Sequence, residues 1–592
     1  MANAAADTET TGPARRRRVL LVVGVVAALL IGAAVWIGVR GWLAKGELEH
    51  VEALKDSFST AVRDGDAQAL GSSVSTANTH AATAASLASD PLWRMSEALP
   101  FWGANAAALR VAAESVRDVT GAAQPLFDRA AAVTASSSNG LDISLVGELA
   151  DPLAATSRAV DAANTNLSAL DSGALLPPLR DAVVDLRSTI DGAAAPLSDA
   201  ATAASVLPEI LGADDPRSIL IMVQNTAEAR TGGGITGSFV ELRASKGKIE
   251  FGNTADSTDF DEQSADILPI PATTTALYDD KVGRFVTNTT MTADFDLSAR
   301  LASAWWQKLG HPAPDTVISI DPVVLAALLK ITGPITLADG GSVDATTVTE
   351  RILVRPYLED SQEGQTAVQS DLTMRLFDRL INEPLDVAAW AEALADPVED
   401  GRISMWSARA NEQDALAHGP FGGTLARYVA AGDQAIGVYL NDASTGKLGT
   451  FLHLDIAVGE RVCREDGVAE VTVATTLTST APEAARHFPL WMTGGDNPSQ
   501  PGDLTTDVTV EAPAGWFTNG AEINGALNPS TDVADGEHAQ TRTRVVVAPG
   551  QSQTVTFHLP ADLDGAEPAP AVVHTPLLNP VGVKTGDTLP CD

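Results

Sequence analysis

The sequence predicts a multi-domain α+β protein: an N-terminal transmembrane helix, a helical bundle or stalk, an α/β layer domain and a C-terminal β-sandwich. Three observations carry this expectation. An uncharged apolar run from Val19 to Val39 opens the chain, and an Ala-rich region with apolar residues at helical spacing follows it. Strands then alternate with helices after Leu207 and give way to strands alone past Gly446. At 592 residues the chain is also too long for one hydrophobic core, since single cores stop growing at about 250–300 residues.

The run VLLVVGVVAALLIGAAVWIGV spans 21 positions, enough at ~1.5 Å rise per residue to cross a ~30 Å hydrocarbon layer. A cleaved signal peptide has a shorter apolar region of ~7–15 residues and ends at small residues, whereas this run continues through Trp36. Arg15, Arg16, Arg17 and Arg18 immediately precede it, and such positive charge stays in the cytoplasm. Residues 1–18 are therefore expected as a cytoplasmic tail, 19–39 as a single-pass span in the cell membrane, and the rest as extracytoplasmic. The lipid bilayer is the first expected partner.

The formal charge is −37, of which the first 18 residues contribute +2, so the remainder is strongly acidic. Such a surface repels phosphate backbones and excludes nucleic acid as a partner. The two cysteines, Cys463 and Cys591, fall on the expected outer side, where oxidation is permitted. A disulfide between them is expected, holding down a Pro-rich tail and worth ~4–5 kcal/mol in the chain-entropy model. Neither C-x-x-C nor H-E-x-x-H spacing occurs, so no zinc motif is present.

Residues 46–206 read as a helical bundle or stalk. Val51, Leu54, Phe58 and Val62 share one helical face, as do Leu109, Val116, Ala123 and Phe127; Leu153, Val160, Leu167 and Leu170; and Leu179, Val183, Leu186, Ile190 and Leu197. Turn signals at Gly65-Asp66, Asp90-Pro91, Gly103, Gly140 and Pro177-Pro178 divide them into about four helices, packed through small-residue seams.

Residues 207–445 read as the α/β domain. SILIMV (Ser218 to Val223) is a buried strand, SFVELRA (Ser238 to Ala244) a second, and a turn at Ser245 to Gly247 leads into a third from Lys248. Leu297 to Leu309 is helical and Thr316 to Ile320 a strand. Asp321 then caps a helix opened by Pro322 and stopped at Thr332-Gly333-Pro334. In residues 446–592 the runs FLHLDIAV, VAEVTVATTLT, LTTDVTVEAP, TRTRVVVAPG and QTVTFHLP alternate with turns, as in a β-sandwich.

Gly232, Gly234 and Gly237 spell G-x-G-x-x-G, but a strand follows where a dinucleotide site needs a helix, and the P-loop Lys is absent. A tight turn or bulge between strands is one reading. The other is an anion-binding nest of backbone amides beside Arg230. Gln224 and Asn225 sit at the strand end, and Glu228 stands within reach of Arg230 as a structural partner. Asp256, Asp259, Asp261 and Glu262 form an acidic loop that can bind Ca²⁺ or Mg²⁺ or be simply solvated. Adjacent Trp305 and Trp306 would place one ring in the core and one at the rim. No G-x-S-x-G elbow supports a serine hydrolase.

QNTAEARTGGGITGSFVEL, the Asp256 region, NTTMTADFDLSARLASAWW and VISIDPVVLAALLKITGPI together resemble the bacterial domain-of-unknown-function 4012 family, over about residues 210–340. That family implies a place in the cell envelope and no chemistry. The order of parts in the α/β domain is also similar to the LytR-CpsA-Psr family, which transfers glycopolymers from polyprenyl-pyrophosphate carriers to the wall. This second resemblance implies that Arg230 grips pyrophosphate, with Gln224, Asn225, Gly232, Gly233 and Gly234 around it. It also implies that Asp256 or Asp294 serves a metal, Mg²⁺ being the cofactor in that case; otherwise no cofactor is established. The Pro-Arg-Asp segment of that family has no counterpart after Phe251, where the chain reads GNTADSTDF.

The expectation is a membrane-anchored, extracytoplasmic envelope protein that binds or scaffolds in surface glycopolymer or wall assembly, with polyprenyl-linked glycopolymer or the wall as partner. The alternative is a LytR-CpsA-Psr-like phosphotransferase.

Overall fold

The run expected as a strand at Ser218 to Val223 is the first part of a 14-residue strand, β1 (Arg217–Arg230). It outlasts its apolar residues because the polar ones that follow are buried and bonded. The computed structural model describes residues 13–63, 66–100, 102–136, 146–359, 362–382, 387–459, 462–463, 469–494, 499–561 and 570–586. They fall into two units, the described residues up to Ser136 with those from 146 to Ala204, and those from Ser205 onward.

The second unit is built on mixed α/β structure with several sheets. β1 pairs antiparallel with β2 (Gly233–Ser245), which pairs antiparallel with β3 (Lys248–Asp256). Lys246 and Gly247 both have positive φ, 50° and 76°, the backbone of a primed two-residue hairpin turn. On its other edge β1 runs parallel to β4 (Thr316–Ile320). A small hairpin, β5 (Ile335–Thr336) with β6 (Ser342–Val343), stands apart, and β7 (Ser404–Ser407) closes the first sheet beside β4.

Both faces of this sheet are covered, which is why β1 reads as an unbroken apolar run. Ile219, Ile221 and Val223 pack on one face against Val324, Leu328, Leu372 and Leu376. Leu220 and Met222 pack on the other against Phe239, Trp305 and Trp306. The helix Pro322–Thr332 starts where Asp321 accepts from the Val323 and Val324 amides, and Phe295–Lys308 starts where Asp294 accepts from Leu297.

The remaining strands are β8 (Ile436–Asp442), β9 (Leu452–Val458), β10 (Val462–Cys463), β11 (Ala469–Ser479), β12 (Leu504–Glu511), β13 (Ala521–Ile523), β14 (Ala526–Asn528), β15 (Ser530–Asp535), β16 (His538–Val547), β17 (Ser552–Ala561), β18 (Val572–His574) and β19 (Gly582–Thr585). One sheet has the order β14-β13-β17-β11-β9-β19, with β10 on β11, and the other β15-β16-β12-β8-β18. Alternate residues such as Val471, Val473 and Leu477 of β11 meet Val438 and Leu440 of β8 and Val508 and Val510 of β12 in one core. Ala229 of β1 and Tyr357 join the same core, so the end of β1 abuts the paired sheets.

The first unit is helical. Ala67–Leu87, Gly103–Ser136, Ala150–Ser168 and all but the last turns of Pro177–Ile210 follow the helix Pro13–Glu52. Small residues form its seams: Ala44, Ala84, Ala85 and Ala113 make one buried cluster.

The expected transmembrane helix is overturned. Among the described residues no helix is long and apolar enough to cross a membrane. Val19 to Val39 lies inside the 40-residue helix Pro13–Glu52, and protein engages the end of the run. Ile37 packs against Ala88, Trp93 and Ala106, while Arg40 donates to the Leu87 carbonyl and pairs with Asp90, each at 2.8 Å. Residues 1–12 and the side chains of 13–27, 29 and 30 lie outside the described residues. With the span go the single-pass topology, the cytoplasmic tail and the extracytoplasmic placement argued from it.

The disulfide is corrected too. No disulfide occurs among the described residues, and Cys591 lies outside them. Cys463 is held in β10 by pairing with Ala469 of β11; an even cysteine count in an oxidising compartment says nothing about whether two Cα atoms approach within disulfide range.

Candidate functional site

The glycine stretch is the tip of the β1–β2 hairpin. Arg230 pairs with Gly233 and Ala229 with Gly234, leaving Thr231 and Gly232 at the turn. The glycines answer to crowding. Gly233 has φ +126°, and a Cβ there would stand 2.2 Å from Gln224 Oε1, while one on Gly234 would stand 2.4 Å from the Asn225 carbonyl oxygen. Only residues without Cβ fit.

The amides of the turn already have acceptors. Thr231 N donates to Asn441 Oδ1 at 3.1 Å, Gly232 N to the Thr290 carbonyl at 3.0 Å, and Gly234 N to Gln224 Oε1 at 2.9 Å. Gln224 also donates from Nε2 to the Gly232 carbonyl at 3.0 Å and to Ser319 Oγ at 2.6 Å. Its side chain thereby closes the turn onto β4. Asn225 donates to the Tyr357 hydroxyl at 2.7 Å and accepts from the Ala227 amide.

Arg230 is buried, and all five of its N–H groups are engaged. Nε and one terminal nitrogen donate to Asn288 Oδ1 at 3.2 and 2.9 Å, and that terminal nitrogen also donates to Glu228 Oε1 at 2.8 Å. The other terminal nitrogen donates to the carbonyls of Ala229 and Asp442, at 2.9 and 3.2 Å. Glu228 in turn accepts from Lys447, whose ammonium also lies over the Tyr357 ring. The result is a buried charge network joining the end of β1, the end of β8 and Lys447.

Its electrostatics follow from its composition. Burial pushes the Glu228 carboxyl up, but Lys447 and Arg230 outweigh it and hold the group below the usual range. Burial works against the charged Lys447 ammonium, yet Glu228 raises it overall. Asp442 is the odd member. Burial and the Glu228 charge push it up to about 6, against the pull of Arg230 and the hydrogen bonds from Ser444.

That shift makes a pH prediction. A carboxyl near 6 when folded and about 3.9 when unfolded binds its proton more tightly in the folded state. Its contribution is therefore favourable at low pH and is lost as pH rises through about 4 to 6. Asp442→Asn should raise stability by about 2–3 kcal/mol at pH 8, with no gain at pH 4. Urea midpoints at the two pH values measure this; an equal gain at both would remove the charge as the cause.

The other sequence-derived candidates disperse. Asp256 belongs to a capping box, accepting from Thr258 while its own amide donates to Asp259. Asp294 caps its helix, and burial raises its carboxyl. Glu262 pairs with Arg284. Trp305 and Trp306 are both fully buried, against the expectation of one core and one rim ring; a His311 ring stacked on Trp306 covers the second.

Asn288, Asn441, Asp442, Lys447 and Tyr357 escaped the sequence reading. Asn441 and Asp442 end the apolar run of β8 as Gln224 and Asn225 follow that of β1, and this shared pattern was a usable signal. Lys447 carries none.

Residues 214–357 match the family model described as protein of unknown function (DUF4012). The resemblance to that family is thus shown for this segment. The DUF4012 segment holds the hairpin, Arg230, Asn288 and Tyr357, while Asp442 and Lys447 lie beyond it. No curated protein matches the chain. A solved structure that does, the Lin1025 protein from Listeria innocua, is 12% identical over 35% of this chain and 78% of its own length, with a TM-score of 0.19. That likeness is too slight to carry a fold argument.

Proposed function

We propose that this protein acts without catalysis, as a binding or scaffolding component in surface glycopolymer or wall assembly, and that its partner is a polyprenyl-linked glycopolymer. The observation that carries the binding part is an exposed apolar face on the helix Pro13–Glu52: Ile31, Val35, Trp36, Val39, Trp42 and Leu43 are all open to solvent. Large apolar surface of this kind marks an interaction site, and a polyprenyl chain is an apolar occupant. The saturated Arg230 network speaks against the phosphotransferase alternative, because no guanidinium N–H remains for a pyrophosphate.

The test is binding of a purified polyprenyl-pyrophosphate glycan in detergent, followed by tryptophan fluorescence. Saturable binding is expected from the parent, with weaker binding by Trp36→Ser and Trp42→Ser and no release of glycan in Mg²⁺. Failure of the parent to bind, or Mg²⁺-dependent transfer of the glycan, would contradict the proposal.

A further inference from the structure

The helical unit holds a constellation outside the network described above. Glu47 and His50 are three residues apart on the helix Pro13–Glu52, hence on one face. His80, on the helix Ala67–Leu87, comes against them. Its Nδ1 lies 2.6 Å from Glu47 Oε2, and its ring stacks on that of His50 with centroids 5.0 Å apart at 26°. One ligand atom from each of the three residues lies within 4.8 Å of the other two. Among the described residues this is the one such triad of His, Cys, Asp or Glu.

We propose that Glu47, His50 and His80 form a site for a divalent transition metal of the zinc class. Two imidazoles and a carboxylate are a ligand set that zinc accepts, with a fourth position left for water. Ligands about 2.0–2.1 Å from a tetrahedral centre stand about 3.3 Å from one another, so side-chain rotations suffice to convert the present spacing. Glu47 and His80 separate slightly and His50 turns inward. An ordinary hydrogen-bonded Glu47–His80 pair accounts for two of the residues and leaves the second imidazole stacked on the first with no role. The metal accounts for all three. It would also link two helices whose fully buried seam is alanine, Ala44 against Ala84 and Ala85, with the partly buried Leu48 and Leu87 beside it, so that each buried residue contributes little apolar area.

The experiment uses Co²⁺ and Zn²⁺ with the full chain. Co²⁺ should give a saturable visible absorption of tetrahedral type at one equivalent, abolished by Zn²⁺, and Zn²⁺ should raise the melting temperature. His50→Ala and His80→Ala should each weaken binding by more than about tenfold, since even outer-shell changes cost 10–100-fold. His50 is exposed, so its variant keeps the fold and remains informative if the His80 variant does not. His558→Ala, beside Glu470 and Glu522 in the other unit, should bind as the parent does. The absence of saturable Co²⁺ absorption, or parental binding by His50→Ala, overturns the proposal.

Discussion

Arg230→Ala is expected to lower the stability of the Ser205–Asp592 unit by about 3–5 kcal/mol. The guanidinium fills five hydrogen bonds in a buried site, to Asn288, Glu228 and the Ala229 and Asp442 carbonyls. Its removal leaves Glu228 with Lys447 alone and strands the amide oxygen of Asn288. Stranding of that kind costs the full desolvation penalty. Arg230→Lys should recover only a fraction, because an ammonium cannot reproduce a planar fork of five donors. Urea unfolding checks both; an alanine variant that unfolds at the parent's midpoint would show that the network is not structural.

A comparable loss, about 3–5 kcal/mol, is expected for Glu412→Ala. Arg217, the first residue of β1, pairs with Glu412 through two hydrogen bonds of 3.0 and 2.6 Å, and their side chains are 0% and 2% exposed. Ser407 also donates to Glu412, so the pair ties β1, β7 and the helix Ala410–Ala417 together. Without Glu412 the Arg217 charge is buried and unpaired, and its Nε already lacks a partner. The double variant Arg217→Met/Glu412→Leu should lose much less, since apolar replacement of both partners avoids an uncompensated charge. Equal losses in single and double variants would place the cost elsewhere.

These effects mark where sequence reasoning reached and where it stopped. Local signals carried the α/β core well: Asp321-Pro322 as a helix start, Lys246-Gly247 as a hairpin turn and Thr316 to Ile320 as a strand all depend on neighbours in the chain. The span failed because an apolar run has the same composition whatever meets it: at its described end Ile37 packs against Trp93 and Ala88, while Ile31, Val35, Trp36 and Val39 stand exposed. The network was half legible. Glu228 and Arg230 are two residues apart on one strand, so their side chains share a face, and their pairing was foreseeable. Lys447 and Asp442 come from more than 200 positions away, and nothing near Arg230 announces them. The glycine turn was open to two readings until Gln224 was seen inside it, taking the amide that an anion would need.

The central claim is that Arg230 belongs to a closed structural network and not to an anion site. Calorimetric titration of the parent protein with pyrophosphate and Mg²⁺ tests it most directly, with Arg230→Ala titrated and melted alongside. The parent should show no saturable binding, and the variant a marked fall in stability. Stoichiometric binding by the parent, lost in a variant that melts normally, would contradict it.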